Sequence, residues 1–239
     1  MQNILELKGL SKHFTMHILK GKVIRGFNNV SFSLAKGEAL GLVGPSGTGK
    51  SSVLKCIYRT YIPTSGKIIY NSLSLGVINL AKASDEQVLV LRKNEIGYVS
   101  QFLRVVPRVT AIDVVAEGLL RKGVPEDEAR RIAGEYLTRL GISKELWDAF
   151  PSTFSGGEQQ RLNIARAVVV KPRLLLLDEP TASLDYATKK LVLDLLLELK
   201  NEGISIIGIF HDLEAMSRVV DKTYKMPEPS DGKAGVISL

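Results

Sequence analysis

Apolar positions along the chain fall into two alternating periods. Val30, Phe32 and Leu34 alternate with polar neighbours, the spacing of a half-buried strand, and the Lys36-Gly37 pair closes it. Residues 38–43 read as a buried strand that runs into a glycine-rich loop at 44–49, and a helix is predicted from Lys50 to about Arg59. Further strands are predicted at 68–70 and 96–100. From Thr110 to Gly141 the period becomes helical, with Ile112, Val115 and Leu119 on one segment and Ile132, Tyr136, Leu137 and Leu140 on the next. Pro125 followed by Glu126, Asp127 and Glu128 has the composition of a helix entry. This helical block ends near Phe150-Pro151. Beyond it come a buried strand at 174–177, a helix at 184–201, a second buried strand at 204–210, and a loose tail from Pro227 to Gly235.

Alternating strands and helices predict an α/β domain around a largely parallel sheet, with a helical subdomain of roughly 50 residues inserted into it, near the lower limit for a unit that could fold alone. Composition narrows the class. The chain has 239 residues, 45% hydrophobic, which is too apolar for disorder, and 6% aromatic, too few for a base-stacking platform. A lone Cys56 forms no internal disulfide, so a reducing cytoplasmic setting is expected. The first residues lack a basic segment leading into an apolar one, so no secretory leader is expected. Apolar runs such as 204–210 are far short of the roughly 20 residues that span a bilayer. The net charge of +7 sits entirely in residues 1–60, which hold nine basic and two acidic side chains.

Candidate chemistry lies inside that basic segment. Gly44, Pro45, Ser46, Gly47, Thr48, Gly49, Lys50 and Ser51 match the phosphate-binding pattern G-x-x-x-x-G-K-[ST] in full, between a strand and a helix. The glycines let successive N–H groups face a phosphate, and the helix N-terminus adds partial positive charge. Lys50 would reach the β- and γ-phosphates, and Ser51 would ligate Mg²⁺, with Ser52 beside them. The apolar run at 174–177 ends in Asp178 and Glu179, which a parallel sheet delivers to its carboxyl edge. Asp178 would hold Mg²⁺ through its water shell, and Glu179 would orient and deprotonate an attacking water.

Three further segments resemble ATP-binding cassette ATPases. Residues 154–161, FSGGEQQR, look like the signature loop and helix. Ala182 to Asp185 resembles the D-loop, and Phe210-His211-Asp212 the switch histidine. Gln101 falls where the family has its Q-loop glutamine, and Phe14 where an aromatic ring stacks on adenine. The resemblance implies a P-loop core with an N-terminal antiparallel β portion and an inserted helical subdomain, with 1–100 and 158–239 as nucleotide-binding core and 101–157 as helical subdomain carrying the signature loop. It implies a head-to-tail dimer, with itself or a second cassette protein, that sandwiches two ATP molecules. Ser155, Gly156, Gly157, Glu158 and Asp185 would serve the partner's nucleotide; Gln101 would complete the Mg²⁺ shell; His211 would donate to the γ-phosphate. Phe154 stands where Leu is common and Glu158 where Gln is common. His13, His17 and Cys56 are read as structural or surface positions, and Lys189-Lys190 as a solvated helix face.

Residues 97–108, 151–161 and 206–212 resemble the L component of the bacterial carbon–phosphorus lyase system. That resemblance implies soluble phosphonate-pathway partners, in a reaction that couples an alkylphosphonate to the ribose of ATP with release of adenine. The alternative is a transport ATPase of the lipoprotein-releasing or macrolide-export type, in which Phe102, Leu103, Val105 and Val106 would line a groove for a membrane permease. Neither reading involves nucleic acid.

Overall fold

A computed structural model describes residues 2–16, 22–103, 108–210, 212–227 and 235–238. In chain order it opens with β1 (Asn3–Met16), β2 (Lys22–Ala35), β3 (Ala39–Val43), α1 (Lys50–Ile57), β4 (Ser65–Ser72) and β5 (Gly76–Asn79). Then follow α2 (Asp85–Asn94), β6 (Ile96–Val99), α3 (Ala111–Arg121), α4 (Glu126–Arg139) and α5 (Gly156–Val168). The chain closes with β7 (Leu174–Asp178), α6 (Tyr186–Asn201), β8 (Ser205–Ile209), α7 (Leu213–Val219), β9 (Lys222–Lys225) and β10 (Gly235–Ser238).

Two sheets result. An antiparallel sheet has the order β2-β1-β4-β5, and a second has the order β10-β9-β3-β8-β7-β6 with only β10 antiparallel. The second sheet is covered on both faces, which is why its strands read as unbroken apolar runs. Alternate side chains divide between two cores. Leu174, Leu176, Leu40, Leu42, Ile207 and Ile209 pack with α1 and the antiparallel sheet. Leu175, Leu177 and Ile206 pack with residues of α3, α4, α5 and α6. Each fully buried Leu or Ile contributes on the order of 2 kcal/mol of transfer free energy.

The P-loop core and the antiparallel β portion appear as the resemblance implies, and the helical insertion as the periodicity predicts. Differences are local. The helix after the glycine loop stops at Ile57, because Arg59 takes a left-handed φ of 63°. The helix expected from residue 184 starts at Tyr186, with Asp185 as its cap accepting from the Thr188 N–H. The strand marked by Val30, Phe32 and Leu34 is the end of a 14-residue strand. Helix α2 was not anticipated; it buries only Val88 and Leu91, and its clearest signal is a Ser84–Gln87 capping box. The loose tail falls mostly at 228–234, outside the described residues.

One polar group ties the two sheets together. Glu95, 3% exposed at the start of β6, accepts from the hydroxyls of Tyr70, Ser72 and Ser74, from the N–H groups of Leu73 and Ser74, and from Arg173 Nη1 at 3.0 Å. Burial pushes its carboxyl up, but the Ser72 and Ser74 hydroxyls and the Ser74 and Leu73 amides outweigh that and hold it down at about 2.

Candidate functional site

Parallel β3, β6, β7 and β8 end at the same edge of their sheet, and the candidate residues follow those ends. The loop from Gly44 to Gly49 leaves β3 and caps α1. Gly49 has φ +90°, and a Cβ there would lie 2.1 Å from the Gly26 carbonyl oxygen, so only glycine fits. Thr48 is buried and donates its hydroxyl to the Pro45 carbonyl at 2.9 Å, pinning the loop from inside; Pro45, Ser46 and Gly47 stay exposed. Lys50 folds back over the loop and donates to the carbonyls of Gly44 at 2.7 Å and Pro45 at 2.9 Å. Partial burial lowers its pKa, countered by the Glu179 carboxylate. Its ammonium therefore bonds the loop that would receive phosphate oxygens, and loses hydration that an anion would replace.

Ser51 donates to Asp178 Oδ1 at 2.8 Å across the gap between α1 and β7. Asp178 is 3% exposed, and its second oxygen accepts from the Tyr98 hydroxyl at 3.0 Å. Tyr98 is a site residue that motif matching does not reach, because its contact to Asp178 spans strands β6 and β7. Burial first, then the Asp178 charge, raise its pKa, so it stays a donor. Its ring stacks on Tyr58 at 5.0 Å, and the Arg92 guanidinium lies over the Tyr58 ring at 4.4 Å.

Glu179 follows with φ 57°, a left-handed conformation that a non-glycine residue adopts at a cost of order 1–3 kcal/mol. Its N–H donates to the Ile209 carbonyl at 3.2 Å, and its Oε2 accepts from Gln101 Nε2 at 3.2 Å. Gln101 is itself exposed, while Asn163 on α5 anchors the preceding Ser100 carbonyl at 2.7 Å. Lys50, Ser51, Asp178, Glu179 and Gln101 thus meet at one sheet edge. The donors Ser51, Asp178 and Gln101 are hard oxygen groups, a set suited to Mg²⁺ that keeps water and phosphate as its other ligands. His211, Val105, Val106 and His17 lie outside the described residues.

The signature segment is built separately. Ser155 caps α5, accepting from the Glu158 N–H at 3.3 Å, while Glu158 Oε2 accepts from the Ser155 N–H and hydroxyl at 2.8 and 2.7 Å. Those bonds lower the Glu158 pKa. The reciprocal cap explains Glu158 where Gln is common: a carboxylate satisfies two Ser155 donors at a positive helix end. Ser155 and Gly156 are exposed at the N-terminal end of α5. Arg161 Nη1 donates to the Thr188 hydroxyl at 3.1 Å, and that hydroxyl donates to Asp185 Oδ2 at 2.8 Å, joining α5 to the start of α6.

Phe14 is half-buried, edge-on to Tyr61 at 5.3 Å, with the Lys12 ammonium 5.1 Å from its ring centre. Cys56 is buried. Phe102 is 72% exposed, whereas Leu103 packs against the core that includes the inserted helices. The solvated face expected at Lys189-Lys190 holds only for Lys190. Lys189 forms an ion pair with Asp212 at 2.7 Å, because α6 lies alongside the turn into α7.

A family model described as ABC transporter matches residues 27–182. The methionine import ATP-binding protein MetN 1 of Listeria monocytogenes is 35% identical over 93% of this chain, which spans 63% of that relative's length. The lipoprotein-releasing system ATP-binding protein LolD of Aquifex aeolicus is 37% identical over 89% of this chain and 92% of its own. Among solved structures, the ATP-binding cassette MJ0796, dimeric in a post-hydrolysis state with ADP and Pi, superposes with a TM-score of 0.84 at 29% identity, covering 93% of this chain and 94% of that one.

Proposed function

The chain belongs to the ABC transporter family of ATP-binding cassettes, and from that premise we propose that it hydrolyses ATP at two sites, each formed between two cassettes placed head to tail. The meeting of Lys50, Ser51, Asp178, Glu179 and Gln101 at one sheet edge carries the proposal. The exposed Ser155 cap supports the dimer, since one chain offers both a phosphate loop and an anion-binding helix end directed at solvent. The dimeric relative with ADP and Pi supports the same arrangement.

In this mechanism Lys50 exchanges its two carbonyl partners for β- and γ-phosphate oxygens, and the backbone N–H groups from Ser46 to Ser52 hold the remaining phosphate charge. Ser51, Asp178 and Gln101 would hold Mg²⁺, which would supply positive charge to offset that of the triphosphate. Glu179 takes the proton of a water whose oxygen attacks the γ-phosphorus, and the bond from that phosphorus to the β-bridging oxygen breaks, releasing ADP and phosphate. Gln101 keeps Glu179 oriented, and His211 is assigned a hydrogen bond to the γ-phosphate. Phe14 offers its ring to adenine after rotating away from Tyr61.

The similar transport ATPases support a membrane permease as partner, with exposed Phe102 beside Gln101 as the apolar contact. A second reading, soluble phosphonate-activating subunits in the cytoplasm, is supported by the resemblance of residues 97–108, 151–161 and 206–212 to the carbon–phosphorus lyase L component. Among the described residues no helix is long and apolar enough to cross a membrane, so membrane association would rest on the partner. Two measurements test these readings. Glu179→Gln should lose hydrolysis by about a hundredfold or more while accumulating an ATP-bound dimer; undiminished turnover would remove Glu179 as the base. Purification without detergent should leave a permease behind under the first reading and retain phosphonate enzymes under the second. Recovery only from solubilised membranes with a permease sinks the second reading, and stoichiometric soluble phosphonate subunits sink the first.

A further inference from the structure

We infer that Lys189 is a positioning residue for the hydrolytic site, holding the turn after β8 against the first turn of α6. A cavity of about 210 Å³ is lined by Glu179, Thr181, Ala182, Leu184, Lys189 and Asp212, so Lys189 and Asp212 share one cavity with Glu179. Lys189 Nζ meets Asp212 Oδ2 at 2.7 Å with its side chain 25% exposed. The other oxygen of Asp212 accepts the Glu214 N–H at 2.9 Å and so caps α7. The Asp212 carboxylate therefore ties the start of α7 to α6.

The same turn of α6 is tied in the opposite direction. Lys189 N–H donates to the Asp185 carbonyl at 2.8 Å, and Asp185 and Thr188 are joined to Arg161 on α5. Helix α5 begins at the Ser155 cap. A continuous set of polar contacts thus runs from the signature cap through α5 and α6 to the turn beside Glu179, and Lys189 is its last side chain. Other charged groups near this turn are Glu214, Lys190 and Arg218, of which Arg218 pairs with Asp194 on α6 at 2.7 Å, a second link between α6 and α7. The inference rests on the ATPase reading for its consequence and on this geometry for its content. A partly exposed ion pair contributes little to global stability, so loss of the pair should act on placement and not on folding.

Steady-state ATP hydrolysis and amide hydrogen exchange of the purified full chain test it. Lys189→Met should lower kcat about tenfold with KM within twofold, since small misplacements of catalytic groups are costly. It should also speed exchange at the Glu214 amide, and Lys189→Arg should restore both. Lys190→Met, the exposed neighbour, should match wild type. Unchanged kcat and unchanged Glu214 exchange in Lys189→Met would overturn the assignment. So would a loss accompanied by general unfolding that Lys189→Arg does not repair. If the wild-type chain itself turns over no ATP, the hydrolase reading fails, and the exchange measurement alone decides whether Lys189 positions the turn.

Discussion

Removing the charge from Glu95 should weaken the joint between the two sheets by an amount its surroundings define. Glu95 accepts six hydrogen bonds, and among its donors only Arg173 carries a full charge. Its carboxyl falls from 4.5 to about 2 in the fold, despite burial, because the Ser72 and Ser74 hydroxyls and nearby amides stabilise the ionised form. At roughly 1.4 kcal/mol per pKa unit, that depression corresponds to about 3 kcal/mol at neutral pH. A depressed carboxylate stabilises above its unfolded value, near 4.5, and the contribution is lost as pH falls through about 2. Glu95→Gln keeps the shape but presents an NH₂ group to a ring of donors. Urea unfolding should show the variant less stable by about 3 kcal/mol at pH 7, the gap closing to about 1 kcal/mol at pH 3. Equal stability of the two proteins at pH 7, or a gap independent of pH, would refute the reasoning.

Three further outcomes follow from the site. Tyr98→Phe leaves Asp178 Oδ2 without its 3.0 Å donor and should raise the Mg²⁺ concentration needed for half-maximal hydrolysis by about tenfold, measured by magnesium titration at saturating ATP. Gly49→Ala places a methyl group 2.1 Å from the Gly26 oxygen at a left-handed φ; it should abolish ATP binding in calorimetry, and retained affinity would contradict the loop geometry. Ser155→Ala removes a helix cap worth about 1 kcal/mol. It should lower turnover, and in mixed dimers with a Lys50→Ala chain, activity should be lost only when the Ser155 change faces the intact phosphate loop.

Strong local constraints made part of this protein readable in advance. The phosphate loop needs particular glycines and a lysine at particular spacing, and the structure brings Ser51 to Asp178 and Lys50 near the Glu179 charge at the carboxyl edge where a parallel sheet delivers them. The helices at 111–121 and 126–139 were legible because each has a one-sided apolar stripe, and the second has three acidic residues in its first turn. Helix α2 was hidden by a weak stripe, and the length of β1 and β2 by register shifts that break strict alternation.

Residue order alone therefore determined the fold class, the phosphate loop and the carboxylate pair, since each rests on neighbours in sequence or on a fixed local period, and the family followed from the resemblance of residues 154–161, 182–185 and 210–212. The tertiary structure decided which distant groups share a charge or a proton. Glu95 with Arg173, Tyr98 with Asp178, and Lys189 with Asp212 are separated by 78, 80 and 23 residues. No local propensity records such pairs. They exist because neighbouring parallel strands start and end at common edges and helices pack across them, placing side chains within reach where an unpaired charge would be costly.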